Sequence, residues 1–177
     1  MSYICHILTK FYTLPQSIRR KVYYAYAHPI INYGISIWGL SYKTHIKPLI
    51  RLQKSLVKKI TFKNDNIAEL YKNEKILNID SLNNYSLACS IHKILSKDAP
   101  LLLQEIINNC SLVSNRLTRN SVNNYIRKPA IKLTTMKRSF RWAAPTIYNK
   151  IPCHIKNNNF KTFKSRLFSY LLLNQVF

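Results

Sequence analysis

The chain has 177 residues, 47% of them apolar and 19% charged, and 28 Lys and Arg stand against 6 Asp and Glu for a net charge of +22. That apolar share suffices for a buried core, so the charge belongs to a folded protein and not to a basic disordered tail. Two glycines, Gly34 and Gly39, exclude a Walker loop and a dinucleotide fingerprint, which crowd backbone amides around phosphate at several glycine positions.

Helical periodicity dominates the first two thirds. Leu14-Pro15 opens a helix expected over 15–28, with Ile18, Val22, Ala25 and Tyr26 on one face, and His28-Pro29 should break or kink it. The run Ile30 to Trp38 is apolar on nearly every side, the pattern of a helix buried between others, and Tyr23, Tyr26, Tyr33 and Trp38 are assigned to the core with it. A helix over 45–61 is the clearest amphipathic segment. Ile46, Leu49, Ile50, Gln53, Leu56, Val57 and Ile60 trace a buried stripe, while Lys47, Arg51, Lys54 and Lys58 recur at helical spacing on the other side with no acid among them.

Asn66 is placed to cap a helix over 67–76, and Asp80 one over 81–96 whose Leu82, Tyr85, Cys89, His92 and Leu95 share a side. Pro100 starts a short apolar helix to 108. From Ser111 to Ser139 the pattern weakens, and Asn124 to Arg127 and Ala130 to Thr135 alternate like strands, so a basic loop with at most a hairpin is expected. Ser139 precedes a helix over 140–149 that Pro145 should keep short or kinked, with Trp142 in the core. Asn159 precedes a helix over 160–173 with Phe160, Phe163, Leu167 and Leu171 as its apolar face. The expected architecture is mainly α: a helical bundle over 1–108, then a basic loop region with C-terminal helices over 109–177.

The charge is segregated along the chain. Met1 to Asn64 carries 11 Lys or Arg and no acid, Ile106 to Phe177 carries 13 and no acid, and Asp65 to Glu105 holds 4 basic residues and all 6 acids. Two positive lobes of +11 and +13 around a segment of −2 favour a polyanion, and dispersal through folded segments favours nucleic acid over an anionic membrane. The four cysteines have no paired spacing and the five histidines no metal-type pairing. No signal peptide or stretch long enough to span a bilayer is evident, and the reading is intracellular and reduced. The six acids offer no adjacent aspartates and no DxD, so two-metal phosphoryl transfer is not encoded.

An ordered set of motifs resembles a known family. Leu14-Pro15, Val22-Tyr23-Tyr24-Ala25-Tyr26, His28-Pro29-Ile30-Ile31-Asn32-Tyr33-Gly34, Ile37-Trp38-Gly39 and Leu49-Ile50-Arg51-Leu52-Gln53-Lys54 come first. Leu70-Tyr71, Ile76-Leu77, Thr118-Arg119, Trp142-Ala143-Ala144-Pro145, Tyr148-Asn149-Lys150-Ile151-Pro152 and Phe163-Lys164 come after them. Together they resemble the segment after the catalytic palm in reverse transcriptases of non-LTR retrotransposons, the jockey-like group, over about Leu14 to Leu171. Where the family often has Gly and Trp-Asn, this sequence reads Trp142-Ala143-Ala144-Pro145 and Tyr148-Asn149, keeping the apolar-aromatic character.

The resemblance implies the thumb and C-terminal region of an RNA-directed DNA polymerase from a transposable element, encoded here as a fragment. Fingers, palm and the aromatic-x-Asp-Asp turn are absent from this sequence, so no catalysis by the chain alone is expected. No cofactor is expected in it, since Mg would belong to the palm, and a palm supplied by another chain is an implied partner. A thumb holds the primer-template duplex, and Lys47, Arg51, Lys54 and Lys58 are the candidate phosphate contacts, with Arg116, Arg119, Arg127, Arg138 and Arg141 as a second basic surface. The alternatives from other classes are a helical protein-interaction module, motivated by Ile30 to Trp38, and a peripheral binder of anionic membranes.

Overall fold

The computed structural model describes residues 13–62, 66–96, 99–108, 126 and 128–175. The chain is mainly α, and no strand occurs among the described residues. Its helices are α1 (Gln16–Val22), a π-helical turn (Tyr23–Ala27), α2 (His28–Asn32), α3 (Ile35–Trp38), α4 (Lys43–Thr61), α5 (Ile67–Asn73), α6 (Ile79–Leu95) and α7 (Leu101–Asn108). A 3-10 turn (Thr135–Arg138), α8 (Phe140–Asn149), α9 (Cys153–Lys156) and α10 (Phe160–Leu173) complete the order. Two compact units divide the chain, one of Met1–Leu82 with Leu171–Phe177 and one of Asn83–Tyr170.

In the first unit, of the break or kink expected at His28-Pro29, the chain shows no break but a local distortion of the helix. Pro29 lacks an N–H and its ring would press on the carbonyl four residues back. The turn before it widens to a π register instead, the His28 N–H bonding to the Tyr23 carbonyl, and helical backbone continues to Asn32. The chain breaks one turn later, at Tyr33-Gly34, where Tyr33 is extended and Gly34 adopts φ 62°. That left-handed value is what requires glycine, since a Cβ there would meet only ordinary contact with Trp38. The Trp38 indole N–H closes the turn on the Tyr33 carbonyl at 2.7 Å.

The break also corrects the expectation of a helix buried on all sides. Ile31 and Ile35 are buried, but Tyr26 (62% exposed), Ile30 (56%), Tyr33 (86%) and Ile37 (80%) face outward, so Tyr26 and Tyr33 are not core residues. Trp38 is half-buried.

The core of this unit is built from Tyr23, Ala27, Leu56, Val57, Ile60, Leu70, Tyr71 and Ile76, with α4 as its central element. Gln53 sits in the middle of the buried stripe, 1% exposed. Its amide donates to the Tyr23 hydroxyl at 3.2 Å and to the Leu77 carbonyl at 2.9 Å, and its oxygen accepts from the Tyr71 hydroxyl at 3.2 Å. A buried amide left unpaired is costly, so this network fixes the rotation of α4 about its axis. Burial pushes the Tyr23 hydroxyl up to about 12 and raises Tyr71 too, so both stay neutral, Tyr23 accepting from Gln53 and Tyr71 donating to it. Phe62 ends α4 with φ 51°, its ring 4.4 Å under the buried Arg19 guanidinium.

Asn66 caps α5 as expected, its side chain accepting from the Ala68 N–H at 3.2 Å. Asp80 does not cap α6. The helix begins at Ile79, and Asn78 accepts from the Ser81 N–H at 2.8 Å, leaving Asp80 exposed in the first turn where its charge complements the helix dipole. The backbone N–H of Asn78 donates to the Gln175 side chain at 3.1 Å, which ties the tail to this unit.

In the second unit Leu87, Ala88, Ile91, His92 and Ile94 of α6 are buried, whereas Tyr85 and Cys89 are half-buried and Leu95 is exposed, so the single expected row is a broader face. His92 stacks on Phe163 with centroids 4.0 Å apart and planes 4° from parallel. Its Nε2–H donates to the Asn158 carbonyl at 3.1 Å, which leaves Nδ1 to accept from the Tyr148 hydroxyl at 3.3 Å. Burial pushes the His92 imidazole down, offset in part by the Asn158 carbonyl.

The expected alternation at Ala130 to Thr135 does not give a strand: residues 128–133 are irregular and lead into the 3-10 turn. A lone strand would leave its backbone groups without a ladder. The backbone of Ile126 is instead held by Asn149, whose side chain accepts from its N–H at 3.0 Å and donates to its carbonyl at 2.8 Å. The rest of Asn124 to Arg127 lies outside the described residues. Pro145 is buried within α8, which runs for 10 residues, and Trp142 is half-buried. Ser139 stands at its N-cap, but its hydroxyl donates to the Met136 carbonyl at 2.7 Å and caps nothing.

Candidate nucleic-acid interface

The candidate interface is the outward face of α4. With Gln53, Leu56, Val57 and Ile60 held inside, the helix turns the opposite side to solvent. At 3.6 residues per turn, Lys47, Arg51, Lys54 and Lys58 fall within an arc of about 60° and span about 16 Å along the axis. Lys47, Arg51 and Lys58 are exposed and Lys54 is half-buried.

Lys43 joins them. It is exposed and lies one turn before Lys47, within the same stripe. Sequence reading missed it by starting the helix at His45, because no side chain caps the true start: Tyr42 holds the N-cap position without a side-chain hydrogen bond. The i−4 spacing from Lys47 was the available signal. Pro48, on the exposed side, interrupts neither the helix nor the row.

The electrostatics of this face are one-signed. Among the described residues the one ion pair is Arg20 with Glu74, at 3.9 Å, and Glu74 also accepts a hydrogen bond from Gln16. Among the described residues, no carboxylate therefore relieves the row on α4. Successive cations at i+3 and i+4 repel by about 0.2–0.5 kcal/mol per pair, a cost that an anion laid along the face would remove. Two of the three α1 cations are used otherwise: Arg19 is stacked on Phe62 and Arg20 is paired, while Lys21 is exposed.

The second basic surface is only partly described. Arg138 is half-buried at the end of the 3-10 turn and Arg141 is exposed in the first turn of α8, both in the second unit. Arg116, Arg119 and Arg127 lie outside the described residues. Among the described residues, no three His, Cys, Asp or Glu side chains form a metal-binding group, and no helix is long and apolar enough to cross a membrane.

Comparison of the chain with protein-family models, curated proteins and solved structures found no match.

Proposed function

We propose that the chain binds nucleic-acid duplex through the cationic face of α4, as the thumb and C-terminal region of a retrotransposon RNA-directed DNA polymerase would, without catalysing nucleotide transfer itself. The observation that carries this reading is a row of outward cations, with no carboxylate partner among the described residues, on a helix whose rotation is fixed by the buried Gln53 network. Lysine and arginine so arranged neutralise phosphates and release counterions, giving affinity without sequence preference. The polymerase class is supported by the ordered motifs from Leu14-Pro15 to Phe163-Lys164. The test is duplex binding across a salt series: five phosphate contacts predict an affinity loss of about 500-fold between 50 and 200 mM salt. A flat response contradicts the reading.

A second reading is favoured by a separate observation. The exposed apolar side chains of Tyr26, Ile30, Tyr33 and Ile37, close together in sequence, suit a helical module that docks on a partner protein. On that reading the isolated chain self-associates or binds dyes specific for apolar surface, and substituting Ile30 and Ile37 by Ser abolishes both. Stronger binding to anionic vesicles than to duplex would favour a membrane-surface role over either.

A further inference from the structure

An open groove of about 410 Å³ lies on the second unit, lined by Tyr85 of α6 and by Lys161, Lys164, Ser165, Phe168 and Ser169 of α10. The α10 residues recur at i, i+3, i+4, i+7 and i+8, so they form one continuous face, opposite the buried Phe163 and Leu167. Lys161 and Lys164 are exposed, and no carboxylate lines the groove. Tyr85 and Phe168, both half-buried at the groove wall, meet edge to face, centroids 6.2 Å apart and planes at 86°. The Ser169 hydroxyl donates to the Ser165 carbonyl at 3.2 Å, which leaves the Ser165 hydroxyl as the donor among the two serines.

We propose that this groove binds one nucleotide of a single strand: Lys161, Lys164 and the Ser165 hydroxyl take a backbone phosphate, and the Tyr85–Phe168 pair takes the attached base. Cations beside aromatic rings are how single strands are held without sequence preference, the cations tracking the backbone and the rings stacking the bases. Bases inside a duplex are already stacked and do not reach such rings, so the strand taken here is unpaired. Burial pushes the Tyr85 hydroxyl up to about 12 and the Cys89 thiol beside it up to about 11, so neither sets a negative charge next to the phosphate. The inference rests on the nucleic-acid reading above, but uses different residues and a different strand state.

The test uses the whole chain and an oligonucleotide of about eight residues carrying 5-iodouracil, within the site sizes of single-strand binders. Irradiation and peptide mapping should place adducts on Tyr85 or Phe168. Tyr85→Leu should weaken single-strand binding by about 5- to 150-fold, the range for losing one stacked base, while Tyr85→Phe retains it. Lys161→Gln with Lys164→Gln, which together hold one phosphate, should lower the salt slope by about 0.7. Adducts confined to other aromatics, with single-strand affinity unchanged in Tyr85→Leu, overturn the proposal. Blunt-duplex binding, measured in parallel, reports on α4 alone: its retention with a failed groove test sinks only this inference, and its absence with groove adducts present sinks only the α4 reading.

Discussion

Replacing Arg51 and Lys54 of α4 by glutamine should loosen duplex binding and tighten the fold at once. Each cation removed from phosphate lowers the slope of log affinity against log salt by about 0.9, so the double variant should lose about 1.8 from its slope. A site of five contacts then responds to a rise from 50 to 200 mM salt by about 40-fold in place of about 500-fold. Stability moves the other way. The substitution removes the like-charge pairs Lys47–Arg51, Arg51–Lys54 and Lys54–Lys58, and at about 0.2–0.5 kcal/mol each this stabilises α4 by about 1 kcal/mol at low salt. Glutamine is close to lysine and arginine in helix propensity, and Arg51 is exposed and Lys54 half-buried, so little packing is lost. For a chain of this size the gain corresponds to about 2–4 °C in Tm. Fluorescence anisotropy with a labelled duplex measures the first effect and scanning calorimetry the second. An unchanged salt slope in a folded variant refutes the phosphate role of α4, and a fall in Tm refutes the claim that these cations are unrelieved.

Other predictions probe the scaffold. Gln53→Leu removes the hydrogen bonds from Gln53 to the Leu77 carbonyl and the two tyrosine hydroxyls, and should cost about 2–4 kcal/mol in urea unfolding with the m value unchanged; a loss below about 1 kcal/mol would show that the network does not fix α4. His92 has a pKa lowered by burial in the fold, so the unfolded chain binds more protons below about 6.5 and stability must fall as pH drops through that value. The half-buried His28, lowered for the same reason, acts with the same sign, so the urea midpoint should decrease between pH 8 and pH 5.5, and less so in His92→Gln. Equal pH dependence in the variant would assign the effect elsewhere. Gly34→Ala forces a side chain into φ 62° and should destabilise by about 1 kcal/mol through strain alone, since the added methyl meets no clash.

The sequence made α4 legible because its two faces are chemically distinct at helical spacing, so burial of one implied exposure of the other. It did not reveal why a glutamine belonged in the buried stripe: the partners, Tyr23, Tyr71 and the Leu77 carbonyl, come from 30, 18 and 24 positions away. The run Ile30 to Trp38 misled for a related reason. Its apolar composition has no periodicity from which to read a direction, and the break at Gly34 turns Ile35 to Trp38 onto a new axis. The π turn before Pro29 was hidden because a proline announces a lost hydrogen bond without saying how the helix will accommodate it. Helix α9 spans only four residues between Pro152 and Asn157, too few for a period to register. The groove on α10 is illegible in one dimension because Tyr85 and Lys161 are far apart in sequence, and because Lys164 carries no signal of its own beyond its place beside Phe163.

Lysine footprinting tests the central claim most directly. Brief acetylation of the whole chain, with and without saturating duplex at low salt, and then peptide mass spectrometry, reports each ammonium separately. Protection should concentrate on Lys43, Lys47, Lys54 and Lys58, with exposed Lys72 and Lys75 of the same unit labelled equally in both states. Duplex bound at saturation while the α4 lysines label as freely as in its absence would contradict the account.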